Sequence, residues 1–307
     1  MKKYKVSIGI PAFNEEVNIE NLLRSLMSQK RRNFSLSQIV VYSDGSTDST
    51  VNIVDKMQKR FSQIKIIKFK NRRGKIFRLN QIFRQLKGDV VIVLDADIHL
   101  VGNNFLNSFV SSIINNPRAK MVAAHQIPIR PKNLTGKIIH ASFVTWDHIR
   151  LGIKDYDHVH NFYGAATAYR GSFVKSLHIP EGIYDERLYL YLMAKKTNGF
   201  FYCYHAKILY WPPITLHDFN KLSARSFGKK YSQLDKIFGG QVSDAYRIPT
   251  SYKIKGVIKA LYHQPLYTPP ALVLNLFLGK LRSGKQVSDS PIWEIIESSK
   301  KIYEKYV

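Results

Sequence analysis

Five consecutive apolar residues, Val90-Val-Ile-Val-Leu94, run straight into Asp95-Ala96-Asp97. A segment this uniformly apolar reads as a buried strand, and it closes a series in which strand-like runs alternate with helical patterns. Lys5–Ile10, Gln38–Ser43 and Ile64–Phe69 precede it as strands, while Asn18–Ser28, Thr47–Phe61 and Ile76–Leu86 carry apolar residues at helical spacing. Such alternation predicts βαβ units and an α/β fold with a mostly parallel central sheet. In open sheets of that kind ligands gather beyond the carboxyl ends of the strands, and polar clusters stand at three of those ends here. After Asn116-Pro117 the pattern is less regular: a strand at Met121–Ala124, an aromatic, His-rich stretch from His140 to Tyr169, a helix at Asp185–Lys196 and a strand at Phe200–Tyr204. Beyond Pro212-Pro213 the chain is basic and helical in pattern.

With 307 residues, 45% of them hydrophobic, the chain can bury a substantial core. The formal charge of +25 favours anionic partners: nucleic acid, phosphorylated small molecules or acidic lipid. Its distribution narrows these. From Lys221 to Lys285 there are 12 Lys or Arg against only Asp235 and Asp244, mixed with Tyr, Leu and Phe, a composition suited to a membrane surface. The apolar run Ala271–Leu278, preceded by Pro269-Pro270 and followed by Lys280 and Arg282, is too short to span a bilayer and fits either a buried core helix or an interfacial one. Cys203 is the only cysteine, so no intrachain disulfide can form, and a reducing, cytoplasmic setting peripheral to the membrane is expected. The first residues lead directly into a strand pattern, and Met1 is read as the start of the mature chain.

Asp95 and Asp97 stand two residues apart in extended geometry, which points both carboxylates to one side. Oxygen ligands of this kind suit Mn²⁺ or Mg²⁺ bound together with phosphate oxygens. The same spacing also fits two solvated aspartates at a strand-to-loop transition. Ser43-Asp44-Gly45-Ser46-Thr47-Asp48 ends another strand and opens a helix: Gly45 permits a tight turn, Ser46 or Thr47 can cap, and the exposed amides favour an anion. A plain cap does not need Asp44, which could accept hydrogen bonds from a nucleotide base.

Ile10-Pro11-Ala12-Phe13-Asn14-Glu15-Glu16, then Ser43–Asp48, then Asn71-Arg72-Arg73-Gly74-Lys75 with Leu79-Asn80, then Asp95-Ala96-Asp97, resemble in order and spacing the family 2 glycosyltransferases of the GT-A fold. The resemblance covers residues 5 to 220 and implies a Rossmann-like nucleotide-sugar-binding fold. It divides the chain into a domain at 1–220, with a nucleotide-binding half at 1–117 and an acceptor and catalytic half at 118–220, followed by a basic helical region at 221–307. It implies that Pro11, Phe13 and Glu15 line the nucleoside pocket, that Asp44 contacts the base, expected to be uracil, and that Gly74 and Lys75 lie near base and diphosphate. Arg73 and Asn80 are weaker carry-overs. Asp95 is expected to approach ribose and metal, with Asp97 as the direct ligand.

The family's acidic pair before a helix falls on Tyr184-Asp185-Glu186-Arg187-Leu188, which places the general base at Asp185. Tyr184 departs from the pattern at the first acid, and Glu186 is the compensating candidate. Gly164 and Ala165, in Tyr163-Gly164-Ala165-Ala166, match the small-residue turn beside donor sugar and acceptor. His217, with His205 behind it, is the candidate for a third metal ligand, and His158-Val159-His160 has metal-like spacing without a third local ligand. The family's processive synthases carry Gln-x-x-Arg-Trp, where this chain has Ser223-Ala224-Arg225-Ser226, so one sugar per encounter is expected. The implied acceptors are a glycan, a glycolipid or a polyprenyl-linked molecule, and the implied chemistry is inverting displacement. A nucleotidyltransferase, a non-catalytic scaffold of the same family and a nucleic-acid-binding protein are the competing readings, although no specific nucleic acid is expected as a partner.

Overall fold

In a computed structural model of the chain, residues 3–227, 232–282 and 296–300 are described. In chain order the elements are β1 (Tyr4–Ala12), α1 (Ile19–Met27), β2 (Phe34–Asp44), α2 (Thr50–Arg60), β3 (Ile64–Phe69), α3 (Lys75–Gln85), β4 (Val90–Leu94), β5 (Ile98–Leu100), α4 (Phe105–Ile114), β6 (Met121–Pro128), α5 (Leu134–Arg150), β7 (Ala166–Arg170), α6 (Gly171–Val174), α7 (Glu186–Lys195), β8 (Phe200–Tyr210), α8 (Leu216–Phe227), α9 (Ser232–Phe238), α10 (Gln241–Tyr246), α11 (Thr250–His263), α12 (Thr268–Arg282) and α13 (Glu297–Lys300).

The strands form one sheet in the order β3-β2-β1-β4-β7-β6-β8-β5. The β3-β2-β1-β4 half is parallel throughout. β7 joins β4 antiparallel, with Leu94 opposite Ala166, and β6 joins β7 antiparallel. Val90–Leu94 is buried at every position, as its unbroken apolar sequence requires of a central strand covered on both faces. α1 contributes Ile19, Leu22, Leu23 and Leu26 to the core that this sheet half shares with α4, where Phe105, Phe109 and Val110 are buried.

The chain groups into two compact units. The first takes in residues 1–127 and 162–209 and holds the sheet; the second joins 128–161 to 210–290. This grouping differs from a linear division at residue 220, and the reason lies in α5. Its Ile139 shares a small core with Phe219 of α8 and Leu278 of α12, so residues 134–150 belong with the helices of the basic region. α11 also lies on α5, against which Gly256 is closely set: a Cβ there would stand 2.7 Å from the Ile149 amide nitrogen. The run Ala271–Leu278 is half buried, with Ala271 and Leu278 inside and Val273, Leu276 and Phe277 exposed. Among the described residues no helix is long and apolar enough to cross a membrane.

Candidate active site

The residues that follow β1 and β2 are laced together. The Asn14 amide donates to Ser46 Oγ (3.2 Å), and Asn14 Oδ1 accepts from the Thr47 amide (2.9 Å). Glu15 N–H donates to Thr50 Oγ1 (2.7 Å), Glu16 N–H to Asp48 Oδ2 (3.0 Å), and Glu16 Oε2 accepts from the Ser49 amide (2.8 Å). Parallel pairing that brings Ala12 opposite Ser43 makes this possible, because it delivers both strand ends to one edge. Pro11 and Phe13 are half-buried at that edge, and the Arg72 guanidinium lies 4.0 Å from the Phe13 ring centroid. Glu15 is turned inward, its Oε2 accepting from Asn18 Nδ2 at 2.9 Å.

Asp44 ends β2 fully within the fold. Its Oδ1 accepts from the Arg73 amide (2.9 Å) and Arg78 Nε (2.6 Å), and its Oδ2 from the Gly74 amide (2.8 Å). A carboxylate so engaged is above all the anchor of the 71–75 turn, and a base could use only the remaining acceptor capacity of Oδ2. Arg78 was not singled out from the sequence, yet it is 1% exposed, donates to Asn71 O (3.0 Å) and stacks 3.6 Å from the Phe69 ring centroid. The signal was present: position 78 precedes Ile82 by one turn on the inward face of α3, and an arginine at a core-facing position demands a buried partner. Burial pulls its pKa down, against the hydrogen bond and charge of Asp44.

Gly74 precedes α3 with φ 89° and ψ 164°, a conformation open essentially to glycine alone. This delivers Lys75 toward the end of β4. Its Nζ lies 2.6 Å from Asp95 Oδ1 and 2.8 Å from Oδ2, and 3.3 Å from the Gly164 carbonyl. The Asp95 amide in turn donates to the Ala165 carbonyl at 2.7 Å, so the turn at Gly164 and Ala165 is joined directly to the acidic strand end. Arg73 leans on the Phe77 ring (3.6 Å to the centroid). Asn80 grips Ile179 through both backbone groups, at 2.8 Å each, and so ties α3 to the segment leading into α7.

Ala96 and Ile98 are buried while Asp95 and Asp97 are half-exposed; β4 ends at Leu94 and residues 96 and 97 form a turn, so the extended geometry expected of this segment is not what sets the two carboxylates. Burial pushes the Asp95 carboxyl up, to about 6; the Lys75 ammonium opposes the rise, and Asp97 and Glu186 add to it. For Lys75 burial acts downward, but Asp95, Glu186 and Asp97 outweigh it and the net shift is upward. Asp97 and Glu186 thus stand near enough to the Lys75–Asp95 pair to bear on both members of it. The Lys75 and Asp95 side chains remain 23% and 24% exposed, enough for a ligand to reach them. Tyr169, also unforeseen, is buried close enough to Glu186 and Asp95 to feel both charges, and burial drives its phenol well above the usual range.

Asp185 and Glu186 have different surroundings. Asp185 is the N-cap of α7: its Oδ1 accepts from the Leu188 amide at 3.2 Å and stands 3.7 Å from Arg187 Nε. Glu186, in the first turn, is the one whose charge reaches Lys75 and Asp95. His217 lies in the second unit, exposed beside Asp218 in the first turn of α8, and His205 is exposed on β8. Among the described residues no three His, Cys, Asp or Glu side chains form a group that could hold a metal alone. His158 and His160 stack at 4.9 Å and direct their Nε2 atoms to the Arg247 and Tyr246 carbonyls.

The sequence profile described as glycosyl transferase family 2 matches residues 7–177, more than half of the chain. The chain belongs to that family. Over 102 residues, 32% of this chain and 30% of the relative, it is 37% identical to the undecaprenyl-phosphate 4-deoxy-4-formamido-L-arabinose transferase of Pseudomonas fluorescens. The first curated relatives are each matched over only 23% to 30% of their own length. Among solved structures, a mannosyltransferase from Pyrobaculum calidifontis in complex with GDP-Man and Mn²⁺ superposes with a TM-score of 0.59 at 17% identity, covering 92% of this chain and 77% of the other. TarS 1-349 from S. aureus in complex with UDP gives 0.51 at 16% identity, covering 93% and 95%. These likenesses bear out the GT-A fold.

Proposed function

We propose that the protein is a glycosyltransferase that moves a single sugar from a nucleotide-diphospho-sugar, a UDP-sugar in the first instance, to a hydroxyl of a glycan, glycolipid or polyprenyl-linked acceptor, with inversion. The observation that carries the reading is the arrangement at the end of β4, where Lys75 Nζ lies 2.6 Å from Asp95 Oδ1 and 3.3 Å from the Gly164 carbonyl, with Asp97 two residues on. Asp97 and Asp95 are the residues that would hold Mn²⁺ or Mg²⁺ together with donor diphosphate oxygens. Such an ion, when bound, would supply positive charge against the departing nucleoside diphosphate.

Lys75 adds a second cation on the diphosphate side, held in place by Asp95 and the Gly164 carbonyl. Phe13, Pro11 and the anchored 71–75 turn form the nucleoside side, with Asp44 holding the turn and Glu15 shaping the loop after β1. Asp185 takes the acceptor hydroxyl proton as that oxygen attacks the anomeric carbon from the face opposite the diphosphate. The Leu188 amide and Arg187 fix its Oδ1, and Gly164 and Ala165 border the donor sugar and the incoming acceptor. The matched relative's undecaprenyl-phosphate name supports a lipid-linked acceptor, and the UDP and GDP-Man complexes of the structural neighbours support the donor class.

Isothermal titration with UDP and GDP, with Mn²⁺ and then with EDTA, tests the donor site. Metal-dependent binding of one nucleotide, lost in Asp97→Ala, is expected. Equal binding by the variant, or binding indifferent to EDTA, would refute the metal assignment.

A further inference from the structure

The two longest helices of the basic region are built inside out. α11 lies on α5 through its small residues: Gly256 meets Ile149 and Ala260 is wholly buried. Its bulky apolar residues, Ile254, Ile258, Leu261 and Tyr262, recur at i, i+4, i+7 and i+8 and occupy the opposite, solvent-facing side. α12 repeats the arrangement. Thr268, Ala271 and Leu278 are buried, while Val273, Leu276 and Phe277 face outward one helical turn apart. Leu266, in the short link between the helices, is also exposed. Apart from Leu261, at 37%, these exposures run from 56% for Ile254 to 85% for Tyr262, where an ordinary amphipathic helix would hide such residues.

Charge along the described parts of these two helices is of one sign. Between Thr250 and Gly279 the chain has Lys253, Lys255 and Lys259 and neither Asp nor Glu. The three lysines of α11 are exposed and lie to either side of its apolar stripe. Bulky apolar side chains fringed by lysines are complementary to a bilayer surface with anionic headgroups: the apolar groups enter the acyl boundary, the ammonium groups stay at the phosphate level, and Tyr262 suits the interface between them. Among the described residues no helix is long and apolar enough to span, and an exposed apolar face of this kind fits in-plane docking.

We propose that the outer faces of α11 and α12, with Leu266 between them, form a monotopic docking surface for anionic lipid bilayers. It involves none of the donor-site residues and holds whether or not the proposed sugar transfer is correct. The test is sedimentation of the full chain with vesicles of phosphatidylcholine alone and of phosphatidylcholine with 30% phosphatidylglycerol. The wild type and the variants Leu266→Asn/Phe277→Ser and Lys253→Gln/Lys255→Gln/Lys259→Gln are compared. All five substituted positions are solvent-exposed, so the fold is retained, which circular dichroism verifies.

Binding to the anionic vesicles is expected, weakened by salt. It should fall at least about tenfold per lost bulky side chain in the apolar variant and about fivefold per lysine in the charge variant. Absence of binding to anionic vesicles, or equal binding by the apolar variant, overturns the proposal. So does a dimer in light scattering that the apolar variant dissolves while vesicles are ignored, because the face would then serve a second copy of the chain. Equal affinity for neutral and anionic vesicles overturns the anionic specificity.

Discussion

Arg78→Met puts the organisation of the donor side to the test. The substitution keeps most of the side-chain volume and removes the guanidinium that meets Asp44 through Nε and Nη2, each at 2.6 Å, along with donations to Asn71 O and Gln81 Oε1. Asp44 is 4% exposed, so its charge is left in a poorly solvated position. Removing one partner of a buried pair costs roughly 3–5 kcal/mol. The Arg73 and Gly74 amides still serve Asp44 and bring the expected loss to the lower end, about 3 kcal/mol. At roughly 2–4 °C per kcal/mol for a unit of this size, melting of the sheet-bearing unit should fall by about 6–12 °C. Donor affinity should fall as well, because the 71–75 turn that delivers Lys75 loses its buried anchor. Differential scanning calorimetry and titration with UDP read the two effects. Adding Asp44→Asn should recover part of the stability, since it removes the stranded charge. Melting within about 2 °C of wild type, or a double variant that loses the sum of the single losses, would refute the anchoring argument.

Asp185→Asn should lower kcat by at least about 10²-fold while nucleotide affinity stays near wild type, measured by sugar transfer and titration; activity near wild type would exclude a hydroxyl acceptor that depends on this base. Gly74→Ala should cost about 1–3 kcal/mol and weaken donor binding, because its φ of 89° with ψ of 164° is hostile to a Cβ; unchanged melting and affinity would contradict the stated backbone geometry. His140 is buried on α5, and burial, with Arg130 adding to it, pulls its pKa below the ordinary value despite its contact with the Pro128 carbonyl. It is therefore neutral in the fold, and its contribution is complete above the unfolded pKa of about 6.5 and lost as pH falls below it. Melting of His140→Leu between pH 8 and 5 should be less acid-sensitive than wild type, and parallel curves would disprove the assignment.

The parallel half of the sheet was legible because its strands and helices have clean periods of two kinds, and Ile64–Phe69 and Val90–Leu94 have the bounds read from sequence. β5 was not, since three residues carry too little pattern. α5 was obscured for a different reason: its buried positions include Gly136, His140, Ser142 and Thr145, so hydrophobicity does not mark its inner face. Asp95 and Asp97 follow a strand that ends at Leu94, and residues 96 and 97 form a turn in place of the extended geometry read from their spacing; no local rule in the sequence links Asp44 to Arg78, thirty-four residues away. For Ala271–Leu278, read from sequence as either a core or an interfacial helix, the fold buries Ala271 and Leu278 and exposes Leu276 and Phe277.

If the proposed donor binds beside them, the lacing of Asn14, Glu15 and Glu16 to Ser46, Thr47, Asp48, Ser49 and Thr50 bears on how quickly it is accepted. Segments fixed by that many cross-links lose their conformational freedom when the protein folds, so an arriving nucleotide meets little ordering penalty on this side. Association there should resemble entry into a rigid mould, with a rate that depends weakly on temperature and nucleotide selectivity expressed in residence time. Substituting Thr50, whose hydroxyl both accepts from Glu15 and donates to Asp48, would turn the same mould into a pair of independent loops.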